Sequence, residues 1–309
     1  KRGDVSEATR LRVLEVIQQL GYRPSGIARG LATHHTGTLG LVVPDVANPF
    51  FSDVARGVEH VAYARGYSVF LCNTEEDPHR EWSLLETLDE KRVDGVILCS
   101  SRLENDRLLA FCGSEVAVVL VNRQVPGLAH KVSTVMIDDQ AASVRAMEHL
   151  LRGGHTAIGL LAGPLTSRSG QQRLAGYGST LRSAGIVGNP HWIEYGAPNV
   201  EGGQAAATRL LMSHPELTAL FCYNDLVAIG CLRACEDLGL DVPGRVAVVG
   251  FDDIPLAALV TPALTTNRVP LYELGTRAAQ ALLSQIAGSV DGSDEAYLQP
   301  ELILRASAP

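Results

Sequence analysis

The sequence predicts an α/β protein: two doubly wound parallel-sheet lobes preceded by a small all-α segment. Three observations carry this expectation. From Thr38 onward, apolar runs of strand length alternate with helical patterns. The runs are continuously apolar, as parallel strands buried on both faces require. Several end in polar clusters, at Asp45 to Asn48, Asn122-Arg123, Asn224-Asp225 and Asp252-Asp253. Ligands sit beyond such strand ends in open α/β sheets. One sheet of this length would be unusually wide, whereas two lobes with facing strand ends enclose a single cleft. Any one of these polar residues also reads as the cap of the following helix.

The strand-like runs are 38–44, 67–73, 95–100, 117–122, 156–162, 217–223 and 246–252. The helical segments are 52–65, 78–91, 139–152, 171–184, 200–212, 225–238 and 270–287. Their alternation is βαβ repetition with right-handed crossovers.

The first 37 residues differ in character. Residues 6–20 read as a helix, with Ser6 as N-cap, Glu7 at the positive end of the dipole and Gly21 as the stop. Leu11, Leu14, Ile17 and Leu20, with Val13 and Val16, form an apolar stripe. Nothing that follows locally covers it, so its partner is expected upstream of Lys1. From Pro24 there is room for about two helical turns, too short to hold alone in water. Gly26 and Gly30 each cost about 1 kcal/mol relative to alanine. This stretch reads either as a tether or as a helix that forms only when something stabilises it. A polar linker, Thr33 to Gly37, follows.

Composition bounds the function. The 309 residues, 46% hydrophobic and 19% charged, allow two or three cored domains. No apolar run reaches the roughly 20 residues of a membrane span, no signal peptide opens the chain, and no membrane partner is expected. Cys72, Cys99 and Cys222 lie in strand-like runs, Cys231 and Cys235 are one helical turn apart, and none of these or Cys112 shows metal spacing. Reduced thiols and a cytoplasmic setting are expected, with no metal and no cofactor. The net charge of −8 divides into +3 for residues 1–36 and −11 for the rest. A basic head on an acidic body fits a head that meets a polyanion. No nucleophile elbow, phosphate loop or dinucleotide fingerprint appears, so an enzyme is not expected.

Nine segments carry a resemblance. VSEATRLRVLEVIQQLGYRPSGIARGLAT (5–33) and TGTLGLVVPDVANPFF (36–51) open the series. GYSVFLCNTEEDPHRE (66–81), VDGVILCSS (93–101), GGHTAIGLLAGP (153–164), RLAGY (173–177), NDLVAIG (224–230), VVGFDD (248–253) and TPALTT (261–266) follow in order. Together they resemble the lactose/galactose-repressor (LacI/GalR) family of transcription regulators over nearly the whole chain. The resemblance implies a DNA-binding regulator, a repressor, whose operator affinity is controlled by a small polar effector. It implies a homodimer and a sensor of the type I periplasmic-binding-protein-like fold, crossed three times by the chain. Residues 1–22 would be the remnant of a helix-turn-helix headpiece, its first two helices absent, 23–36 the hinge helix and linker, and 37–309 the effector-binding domain. Lobe one would be about 37–136 plus 268–292, and lobe two about 137–267 plus 293–309. In the hinge, Leu31 would wedge into a minor-groove base step, with Ala28 one turn before it. A periplasmic solute-binding protein of the same lobed fold is the alternative; residues 5–33 argue against it.

The resemblance also implies an effector site. Asn48, Phe50 and Phe51 match a loop that sets two aromatics against the ligand; two aromatics beside a helix start are not expected both to face the core. Asn122, Arg123 and Asn224 match further cleft positions, and Asp252 matches a carboxylate that takes paired ligand hydroxyls. Arg173 lies on the helical segment 171–184, and Arg268 near a lobe crossover. Many sugar-binding members have an arginine where Gln171 stands, with Arg168 and Ser169 close enough to compensate. A neutral sugar is the implied effector, with a nucleoside or other polar metabolite behind it.

Overall fold

The computed structural model describes residues 6–20, 35–127, 132–288 and 295–309. Helix α1 (Glu7–Gln19) is capped as expected, the Ser6 Oγ accepting from the Thr9 N–H at 3.4 Å. Its stripe of Leu11, Val13, Leu14 and Val16 is exposed. The hinge residues Ala28 and Leu31 lie outside the described residues.

Strands β1 (Thr38–Val43), β2 (Ser68–Asn73), β3 (Gly95–Cys99), β4 (Ala117–Val121), β5 (Ser133–Ile137) and β11 (Glu295–Leu298) form one parallel sheet. Its order is β11-β5-β4-β3-β1-β2. Strands β6 (Ile158–Ala162), β7 (Ile193–Tyr195), β8 (Ala219–Cys222), β9 (Ala247–Asp252), β10 (Thr265–Arg268) and β12 (Glu301–Ile303) form the second, ordered β12-β10-β9-β8-β6-β7. In it β12 alone runs antiparallel, against β10. Continuous apolar strands follow from helices on both faces. Along β1, Leu39, Leu41 and Val43 pack into one apolar layer and Val42 into the other. Along β8, Phe221 and Leu220 divide in the same way.

The covering helices are α2 (Pro49–Ala64), α3 (Pro78–Glu90), α4 (Asn105–Cys112), α5 (Asp139–Arg152), α6 (Arg168–Ser183), α7 (Val200–Ser213), α8 (Asp225–Asp237) and α9 (Leu271–Ile286). Helices α2 and α9 touch backbone to backbone: a Cβ on Gly275 would stand 2.1 Å from the Val54 carbonyl oxygen. That contact brings α9 back to lobe one after β10 has run in lobe two.

The chain crosses between lobes after β5, after β10 and between β11 and β12. The crossings are laced together. Asp138 N–H donates to the Leu298 carbonyl at 3.0 Å, and Gln299 Nε2 to Asp138 Oδ2 at 3.0 Å. Two expected boundaries shift. Arg268 ends a lobe-two strand, so the second crossing follows it instead of preceding it. The third lies near 299, not at 292–293, because β11 pairs with β5 over Glu295–Leu298. Strand β2 also departs from the expectation of burial on both faces: it is an edge, and Phe70 and Leu71 are exposed.

Candidate effector cleft

The strands of both sheets end at the gap between the lobes, and one cleft lies there. Lobe one contributes Asp45, Asn48, Phe50, Phe51, Glu76, Ser100, Arg102 and Asn122; lobe two contributes Ser169, Arg173, Pro198, Tyr223, Asn224 and Asp252. The backbone at three of these strand ends sits in the left-handed region, with φ 47° at Ser100, 55° at Asn122 and 114° at Asp252. Such conformations are costly for residues other than glycine and collect at functional sites. Here they turn the last side chain of a strand toward the gap.

In lobe two the centre is a buried charge cluster. Arg173 donates from Nε to Asp139 Oδ1 at 2.9 Å, and its Nη2 lies 2.8 Å from the same oxygen. Nη2 also stands 3.6 Å from Asp252 Oδ1, and Nη1 donates to the Tyr223 carbonyl. The guanidinium lies 3.5 Å from the centroid of the Phe251 ring. Asp252 Oδ1 is buried with no hydrogen-bond donor among the described residues. Burial pushes the Asp252 carboxyl well above the usual carboxylate range; Arg173 opposes this, and Asp225 and Asp139 reinforce it. Asp225, the first residue of α8, accepts from Thr266 Oγ1 at 2.6 Å and from Ile254 N–H at 2.9 Å. Burial still raises its carboxyl to about 7. Two buried carboxylates, Asp139 and Asp252, thus share one buried guanidinium, and the field of a third, Asp225, reaches Asp252.

Lobe one supplies a second cation. Arg102 grips Glu76 with two bonds, Nε to Oε2 at 2.5 Å and Nη2 to Oε1 at 3.1 Å. Its own backbone N–H donates to the buried Glu81 at 2.9 Å. Across the gap, Tyr223 lies beside Arg102 and its hydroxyl is 3.0 Å from Ser167 Oγ. The Tyr223 ring rests on Gly163, where a Cβ would stand 2.5 Å from it. Asn122 Nδ2 donates to Ser169 Oγ at 3.0 Å, a direct bond between the lobes. The space left at the centre is about 30 Å³, room for a water or two. The lobes are therefore drawn together, and entry of a larger ligand requires them to part.

Seven of the expected residues meet here: Asn48, Phe50, Phe51, Asn122, Arg173, Asn224 and Asp252. Asn48 and Asn224 serve twice, because each also caps a helix, accepting from Phe50 N–H at 3.0 Å and from Val227 N–H at 2.8 Å. Phe50 and Phe51 overturn one expectation. Both rings are buried in the lobe-one core and line the cleft as well, packed edge to face with centroids 4.9 Å apart. Arg268 is corrected. Its side chain is half exposed and does not line the cleft, because the Asp253 carboxylate holds it, Nε donating to Oδ2 at 2.7 Å. Arg123, Arg168 and Gln171 line a neighbouring cavity instead. Glu76, Ser100, Arg102, Pro198 and Tyr223 were not anticipated. Tyr223 carried a signal, as the last residue of an apolar run directly before Asn224. Among the described residues no group of three or more His, Cys, Asp or Glu side chains can hold a metal ion.

Comparison with known proteins agrees with this architecture. Residues 36–304 match the family model described as periplasmic binding proteins and sugar binding domain of the LacI family. The HTH-type transcriptional repressor PurR of Aliivibrio salmonicida is 33% identical over 98% of this chain and 91% of its own length. A solved transcriptional regulator CelR–cellobiose complex superposes with a TM-score of 0.81 at 31% identity, covering 98% of this chain and 92% of that one. The lac repressor dimer bound to operator and the anti-inducer ONPF gives a TM-score of 0.86 at 25% identity, covering 99% and 92%. Fold and sequence agree over nearly the full length, and the chain belongs to the LacI family of transcription regulators.

Proposed function

We propose that this chain is a transcription repressor whose affinity for operator DNA is set by a small polyhydroxy effector, a sugar, bound between the lobes. The observation that carries the reading is Asp252 Oδ1. It is a buried acceptor with no donor of its own, facing the cleft beside Arg173. Leaving such a group unpaired costs roughly 1–3 kcal/mol, and a ligand hydroxyl supplies the missing donor. Phe50 and Phe51 offer an aromatic wall for a sugar's C–H face. A sugar in the CelR complex is in keeping with this. The exposed apolar stripe of α1 favours a headpiece helix, which a solute-binding protein has no use for.

In this reading the effector acts through lobe closure. The inter-lobe bonds, Asn122 to Ser169 and Tyr223 beside Arg102, are made or broken as the lobes move. That motion would reset the spacing of two hinges in a dimer, with Leu31 and Ala28 at the DNA. Ligand and DNA then bias the same two-state element. A thermal-shift panel of sugars and nucleosides tests the ligand class. A true effector at 100 times its dissociation constant adds about 2.7 kcal/mol. Stabilisation by nucleosides alone would overturn the sugar assignment.

A further inference from the structure

Beside the main cleft lies a second cavity between the lobes, of about 520 Å³. Arg123 of lobe one and Arg168 of lobe two line it, with Asn105, Thr166 and Gln171 among their neighbours. Each arginine is next in sequence to a residue of the main cleft. Asn122 turns into the cleft and Arg123 into the cavity; Ser169 and Arg168 divide in the same way. The wall between the two spaces includes the Asn122–Ser169 bond.

Neither arginine has a carboxylate hydrogen-bonded to it among the described residues. None of the residues lining the cavity is acidic. Arg123 is held by neutral acceptors: the Gln124 carbonyl at 2.7 Å, the Leu103 carbonyl at 3.1 Å and Asn105 Oδ1 at 2.8 Å. The Arg168 guanidinium meets the Gln172 amide oxygen at 2.9 and 3.2 Å in the orientation that satisfies both groups. Burial, and then repulsion from Arg168, lower the Arg123 pKa; Glu81 counters this through space but its carboxylate serves Arg102. Arg168 also begins α6, a 16-residue helix whose positive end adds to the field.

We propose that this cavity is a subsite for a phosphate group, so that the effector is a phosphorylated sugar whose ring occupies the main cleft. Two guanidiniums from opposite lobes match the fork geometry that phosphate oxygens accept. A dianion between them removes the repulsion that otherwise opposes closure, and so links anion binding to lobe position. The inference rests on the main cleft being the sugar site, and it replaces the neutral sugar expected from the sequence with a charged one.

The test is calorimetric titration of the protein with inorganic phosphate at fixed ionic strength, with chloride as control. Saturable binding is expected, at least about tenfold weaker in Arg168→Gln, since charge-assisted hydrogen bonds contribute about 1.5–3 kcal/mol. Arg123→Gln should weaken it similarly, but Arg123 also ties two backbone carbonyls; Arg168→Gln keeps the test valid if that variant fails to fold. A second arm compares ribose 5-phosphate and glucose 6-phosphate with ribose and glucose. Tighter binding of a phosphate ester than of its parent sugar, with the difference lost in Arg168→Gln, supports the subsite. Phosphate binding that is non-saturable, or equal in Arg168→Gln, overturns it. A parent sugar that binds through Asp252 while phosphate does not would sink the subsite and leave the sugar cleft standing.

Discussion

The Arg173 guanidinium lies 2.8 Å from the Asp139 carboxylate, and both side chains are almost fully buried. Asp139 begins the helix that follows the first lobe crossing, and Arg173 comes from the helix after β6. The pair therefore fixes the guanidinium at the cleft floor, where it faces Asp252. Burial raises the Asp139 carboxyl, and Arg173 holds it down only in part.

Removing one member of this pair should be costly. Arg173→Met leaves Asp139 buried and uncompensated, and a loss of about 3–5 kcal/mol is expected. Asp139→Asn combined with Arg173→Met should recover much of it. Denaturant unfolding of both single variants and the double variant gives the coupling energy. Additive losses would mean the pair is not a unit.

Asp252→Asn should separate stability from binding. The substitution removes a buried carboxylate whose pKa is already pushed up by burial, so the melting temperature should hold or rise. Effector affinity should fall roughly 10- to 100-fold, the cost of about one charge-assisted hydrogen bond. Calorimetry beside thermal melts checks both halves. Wild-type affinity in this variant would show that Asp252 does not touch the ligand.

The cluster predicts a pH dependence. Asp225 holds its proton up to about 7 in the fold, against roughly 4 in the unfolded chain. The folded state therefore binds more protons across that window, and stability must fall as pH rises through it. Asp252 and Asp139 are raised as well and act with the same sign. Melting temperature should drop between pH 5 and 8 (conditions bracketing that window), and Asp225→Asn should flatten the slope. A melting temperature that climbs over this range would contradict the assignment.

Gly163 should matter to the ligand through Tyr223. A methyl group there meets the tyrosine ring at 2.5 Å. Gly163→Ala should displace the ring from Arg102 and weaken effector binding by about tenfold, a change worth about 1.4 kcal/mol. Unchanged affinity would place Tyr223 outside the site.

The lobes were legible because buried parallel strands leave continuous apolar runs. Strands such as Ala117–Val121 and Ala247–Asp252 announce themselves. Strand β10, Thr265–Arg268, does not, since its Thr and Asn side chains are buried polar groups. Strands β7 and β12 are three residues long and lie at sheet edges. In the cleft, Asn122, Asn224 and Asp252 were found because polar residues that end apolar strands stand out in the sequence. Glu76 and Arg102 were not, because their pairing is made by loops from two different βα turns. Arg268 was misplaced for the opposite reason: its position in the chain is near the cleft, but its half-exposed side chain is held by Asp253.

The central claim is that a ligand held by Asp252 controls DNA binding. Fluorescence anisotropy tests it on the complete gene product, with a palindromic DNA site enriched from random sequence by that protein. The panel's most stabilising sugar or sugar phosphate serves as ligand. The account predicts that saturating ligand changes wild-type DNA affinity at least about tenfold, a typical allosteric coupling. Asp252→Asn should bind the same DNA with unchanged affinity and ignore the ligand. Wild-type DNA affinity that is the same with and without ligand, or an Asp252→Asn protein that responds like wild type, would contradict it.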